Sequence, residues 1–190
     1  MLRQLREKLR RLLASSTQRE PLADPGASRP APGLLENGPA RRGAAPQPDD
    51  VKALLAQAAT HVVSGRAEDA ADCFELALAL APDHLPALLG LARLRREAGD
   101  CEAALRLLER AAQAAPRSAE PCFELGLTHN RNGDTRAALL SYERALELAP
   151  DHVAAGVNAG LIHLGQLGDA RSAQRYFERA AALQPGSVAA

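Results

Sequence analysis

The chain has no tryptophan, only two tyrosines, three phenylalanines and three cysteines among 190 residues, and no net charge. Each shortage excludes something. No window approaches the ~18 consecutive apolar residues of a membrane-spanning helix. The first 16 residues are studded with arginine and lack the apolar core of a secretory signal. Cys73, Cys101 and Cys122 are odd in number and widely spaced, with no CxxC pair. That fits neither a disulfide framework nor a zinc module and points to a reducing, cytoplasmic compartment. The 23 basic and 23 acidic residues cancel, so no bulk field attracts a polyanion and no nucleic-acid partner is expected. There is no P-loop, GxGxxG, HExxH or GxSxG, and no cysteine has the histidine arrangement of a nucleophile. Neither enzymatic activity nor a cofactor is expected. What is plentiful is alanine, leucine and arginine, the composition of a helix former.

The neutral total hides a division. Residues 1–20 hold six basic and two acidic side chains, whereas residues 51–190 hold 14 and 17, so a basic head precedes a mildly acidic body. Between them, Pro21 to Pro48 contains seven prolines and four glycines. No periodic apolar face can form there, and residues 17–49 are expected to be a disordered linker.

Internal repetition organises the rest. Pro82, Pro116, Pro150 and Pro185 are spaced by 34, 34 and 35 residues. Ahead of each stands the same small/large/small triplet: Ala70, Phe74, Ala77; Ala104, Leu108, Ala111; Ala138, Tyr142, Ala145; and Ala173, Phe177, Ala180. Earlier still come Gly65, Gly99, Gly133 and Gly168, the last three followed by Asp100, Asp134 and Asp169. Glycine closing one helix and aspartate capping the next is the expected punctuation. Each unit then reads as two helical stretches joined by a turn short enough to force an antiparallel hairpin. The small residues let paired helices approach, and the bulky one is expected to fill the space between neighbouring pairs. No pair buries its apolar face alone, so stacking builds the core.

This period and pattern resemble the tetratricopeptide repeat family. The match assigns repeats at 51–84, 85–118, 119–152 and 153–187, the last with one extra residue between His163 and Gly168. The resemblance implies an all-α solenoid of antiparallel hairpins in a right-handed superhelix, acting as a protein-interaction scaffold. The family's fourth-position Trp is replaced by Leu54, Leu88, Cys122 and Gly156, and its eighth-position Gly appears only as Gly126 and Gly160. Irregular packing of the first helices is the expected consequence. Arrays of this kind also form recognition regions of larger enzymes, glycosyltransferases or methyltransferases, and this is carried as the alternative.

Histidine recurs at the eleventh position as His61, His129 and His163. Equivalent helices sit roughly 10 Å apart, too far for a shared zinc needing nitrogens at about 2.1 Å. No metal site is expected, and these imidazoles are assigned to half-buried structural positions. His84 and His152, in matching Pro-Asp-His turns, are expected to face solvent.

The family's ligand surface is the concave face of the first helices. The resemblance maps it onto Lys52 and Leu55; Leu89, Arg93 and Arg96; Phe123, Glu124, Leu127, Asn130 and Arg131; and Val157, Asn158 and Leu161. The carboxylate clamp of the chaperone-binding subgroup is absent, because its positions read Leu55, Ala59, Gly90, Glu120 and Glu124. Arg93, Arg96 and Arg131 carry two readings: gripping an acidic peptide through bidentate hydrogen bonds, or pairing internally with Glu97 and Glu124. The partner is expected to be a protein or peptide segment.

Residues 1–16 form an amphipathic pattern, with Leu2, Leu5, Leu9, Leu12 and Leu13 on one arc and Arg3, Arg6, Lys8, Arg10 and Arg11 around it. So short a helix orders only on a surface. An anionic leaflet touched by residues 1–14, a partner's groove and an organellar import receptor all fit. At the other end, Val188 aligns with Val153, so residues 188–190 read as the start of a fifth repeat. The last hairpin is expected to present an apolar edge that needs a cover, either downstream sequence, the Leu-rich head or, by self-association, a second copy.

Overall fold

The protein is described here from a computed structural model, which places residues 48–183. Among these residues there are eight helices and no strand: α1 Pro48–Val63, α2 Ala67–Leu80, α3 Leu85–Glu97, α4 Cys101–Ala114, α5 Ala119–Arg131, α6 Thr135–Leu148, α7 Val153–Gly165 and α8 Ala170–Leu183. Each packs on the next in chain order, so α1/α2, α3/α4, α5/α6 and α7/α8 are four stacked hairpins. The basic head and most of the linker lie outside the described residues. Pro48 and Asp49, assigned to the linker from composition, open α1 instead. A proline with its φ preset, followed by Asp49 and Asp50 in the first turn, is a sound helix start.

The punctuation acts as its chemistry requires. Gly65, Gly99, Gly133 and Gly168 have φ between 67° and 87°, the left-handed conformation that closes a helix cheaply only for glycine. Asp100, Asp134 and Asp169 accept from the backbone N–H three residues on, each at 3.0 Å. Arg66 stands at the first such position and makes no side-chain cap. The extra residue of the fourth unit lies in the turn after α7, where Gln166 and Leu167 replace the single cap residue of the other hairpins.

The core follows the triplets. Ala70, Ala77, Ala104, Leu108, Ala111, Ala138, Tyr142 and Ala145 are fully buried. The expectation that the bulky residue fills the space between hairpins holds for Tyr142, whose core cluster includes Ala155, Ala159 and Ile162 of the next hairpin. A Cβ on Gly126 would lie 2.4 Å from the Tyr142 ring, and one on Gly160 would lie 2.6 Å from Phe177. Both rings therefore also pack on the first helix of their own hairpin. Phe74 has Ala58 at the equivalent position and instead lies on Gly90 of the next hairpin, 2.4 Å from where a Cβ would be. Gly126→Ala should cost about 1–3 kcal/mol, the penalty for overpacking a filled site, read as a lower urea midpoint.

The Tyr142 hydroxyl is buried with no hydrogen-bond partner among the described residues. Burial, the largest cause, raises its pKa from 10.0 to about 12, with Arg96 opposing and Glu124 reinforcing the rise. A phenol that holds its proton more tightly folded than unfolded contributes full stability below the unfolded value. That contribution is lost as pH climbs. Stability should fall between pH 10 and about 12, and following unfolding alongside phenolate absorbance would check it.

Candidate peptide-binding groove

Two helices set the middle of the mapped face. Arg93 and Arg96 lie three residues apart on α3, and Glu120 and Glu124 four apart on α5, so each pair occupies one helix face. Arg93 Nε donates to Glu124 Oε1 at 2.5 Å, and Arg96 Nη1 to Glu124 Oε2 at 2.5 Å. The other arm of Arg93 bonds Glu120. The Glu124 side chain is 3% exposed against 45% for Arg93, so a buried carboxylate is gripped on both oxygens. Burial, the largest influence on Arg93, works against its charge. Hydrogen bonding and attraction from Glu124, then Glu120, together outweigh it and hold the pKa above the ordinary range.

Of the two readings carried for the arginines, internal pairing is the one the geometry displays for Arg93 and Arg96. Their chief partners are Glu120 and Glu124, while Glu97 offers Arg131 only its backbone oxygen, at 3.4 Å. The cluster is neutral. A ligand carboxylate would have to displace Glu124 to be gripped by both guanidiniums.

The other mapped residues fall into two groups. Leu89 is buried in the core, and Leu55, Phe123, Leu127 and Val157 are half-buried. Phe123 lies 4.6 Å from the His152 ring and 6.0 Å from Tyr142. Lys52, beside Asp49 at 3.5 Å, is exposed, as are Asn130, Arg131 and Leu161. Asn158 donates to Ala154 O at 2.8 Å. Leu164, absent from the mapped set, is as exposed as Leu161, at 51% and 53%. Its spacing of three from Leu161 on an uncharged helix was the available signal. The head residues, Leu2 to Leu13, lie outside the described residues.

The histidines divide differently from expectation. His61, His129 and His163 are half-buried as expected, His163 stacked on Tyr176 at 5.4 Å. His84 and His152 are half-buried too, rather than solvent-facing. His152 Nδ1 accepts from Ala155 N at 3.2 Å and so caps α7. Among the described residues no group of three His, Cys, Asp or Glu is placed to hold a metal, and no helix is long and apolar enough to cross a membrane. Burial, the main cause, raises the thiol pKa of Cys122, and that of Cys73 with help from Asp72 and Asp69. Neither is an activated nucleophile. An apolar recess of about 10 Å³ between α6, α7 and α8, lined by Leu146, Tyr176 and Leu183 among others, has room for about one water and not for an ordinary ligand.

Two tetratricopeptide repeat family models match, over residues 63–125 and 119–152. No curated protein matches the sequence. Among solved structures, a crystal structure of MamA superposes with a TM-score of 0.66 at 25% identity, covering 73% of this chain and 80% of that one. MamA from Desulfovibrio magneticus RS-1 gives 0.65 at 20% identity over 74% and 79%, a likeness of fold. A mutant O-GlcNAc transferase from Thermobaculum terrenum gives 0.65 at 30% identity, with 70% of this chain on 26% of that one. Period, turn glycines, hairpin stacking and family models agree: the chain is a tetratricopeptide-repeat protein.

Proposed function

We propose that the chain is a non-enzymatic scaffold that binds a protein or peptide segment along the exposed line of its first helices, from Lys52 through Asn130 and Arg131 to Leu161. The observation that supports this most directly is the closed charge cluster at mid-groove. With Arg93 and Arg96 satisfied by Glu120 and Glu124, recognition rests on apolar contact at Leu127, Val157 and Leu161 and on polar contacts from Asn130 and Arg131. A segment with apolar anchors and backbone groups to hydrogen-bond fits such a face; a strongly acidic one does not.

The test is peptide display on the full chain, followed by affinity measurement with the best binder on Asn130→Ala and Arg131→Ala. Truncating the Arg131 contact should weaken binding by about tenfold or more, as loss of a charge-assisted hydrogen bond does. Enrichment of acidic peptides, or binders indifferent to both substitutions, would refute this groove. The likeness to the O-GlcNAc transferase favours a second reading, a recognition segment of a larger enzyme. Sequencing the transcript beyond Ala190 separates the two.

A further inference from the structure

The junctions between hairpins show which positions meet the following unit. In α3 these are Leu89, Arg93 and Arg96, whose arginines reach Glu120 and Glu124 of the next hairpin. The corresponding α7 residues are Val157, Leu161 and Leu164, all apolar, with Leu161 and Leu164 about half exposed. The second helices agree. Leu105 and Leu139 are half-buried and Leu146 is buried, whereas Gln174 and Ala181, at the matching places in α8, are exposed. The α7/α8 hairpin therefore carries a junction surface that no described residue covers.

The opposite edge differs. Where α3 buries Leu91 and Leu94, α1 places Gln57 and Thr60, both exposed. At these two positions an apolar junction surface would meet polar side chains, which disfavours head-to-tail stacking of copies.

The apolar edge is, however, complementary to itself. Arg171 and Glu178 are exposed on α8 and seven residues apart, two helical turns, so they share one face. That face borders Gln174, which donates to Glu178 at 2.7 Å. Two α8 helices packed antiparallel about a two-fold axis between residues 174 and 175 would set each Arg171 against the partner's Glu178. Both ion pairs form at once because the interface is isologous.

We propose that the α7/α8 edge is the homodimer interface of this protein, a second copy pairing with it through Val157, Leu164, Ala181 and the reciprocal Arg171–Glu178 contacts. This rests on the junction pattern; Val157 borders both surfaces, but the groove's test residues, Asn130 and Arg131, lie on another hairpin, so the two proposals fail separately. The test is sedimentation velocity of the full chain from low to high micromolar concentration, with circular dichroism on every variant. The wild type should move from monomer to twice its mass and stop there. Arg171→Glu and Glu178→Arg should each weaken the dimer by at least about tenfold, because two attractions become two repulsions. The double reversal R171E/E178R should restore the wild-type constant. A wild-type monomer at every concentration, growth beyond the dimer, a dimer indifferent to the single reversals, or a double variant no better than either single would each overturn it.

Discussion

Removing both arginines that hold Glu124, as Arg93→Ala with Arg96→Ala, is expected to lower the unfolding free energy by about 3–5 kcal/mol in urea titration. The carboxylate is 3% exposed and would be left without a cationic partner, the costly half of a broken buried pair. Arg96→Ala alone should cost less, about 1–3 kcal/mol, because Arg93 still reaches Glu124. Adding Glu124→Leu to the double variant should recover most of the loss, since an apolar side chain has no charge to strand. A double variant that loses under about 1 kcal/mol, the worth of an exposed pair, would mean that water reaches the carboxylate.

Tyr142 should divide by substitution more sharply than any other core residue. Its side chain is fully buried between Gly126 and the α6/α7 junction, so Tyr142→Ala should cost about 3–5 kcal/mol through lost burial and a cavity. Tyr142→Phe keeps the ring and deletes only a hydroxyl that is buried without a partner among the described residues. It should leave stability unchanged or raise it. Thermal unfolding of the pair decides the matter: a Phe variant clearly less stable than the wild type would reveal a hidden partner for that oxygen.

These two sites show what the sequence tells and what it withholds. The period, the turn glycines and the aspartate caps were legible because each is a local rule read within a few residues. Even the extra residue of the fourth unit could be bracketed from spacing alone. The ionic cluster was half legible. Arg93, Arg96 and Glu124 were all candidates, but Glu120 lies 27 residues from Arg93, and a face of mixed charge does not reveal which groups meet. His152 was misread as a solvent-facing turn residue because composition does not show that its ring would cap α7 while lying against Phe123. The glycine that each aromatic ring packs on was hidden for a similar reason. A ring's position in the period is fixed, but its seat depends on a residue elsewhere.

That dependence decides how stability is distributed along the array. In a solenoid, total stability divides into an intrinsic part for each unit and a coupling part for each junction. Phe177, seated on Gly160, adds to the intrinsic part of the fourth unit, and Tyr142, seated on Gly126 and clustered with Ala155, Ala159 and Ile162 of the next hairpin, adds to both parts. Phe74, seated on Gly90 of the second hairpin, adds to coupling instead. The first unit thus gives its ring to the junction with the second, and the two should order together. Exchanging one methyl between helices, Ala58→Gly with Gly90→Ala, should turn the Phe74 ring back onto its own hairpin. In hydrogen exchange, residues 48–80 would then open independently of residues 85–114 rather than with them.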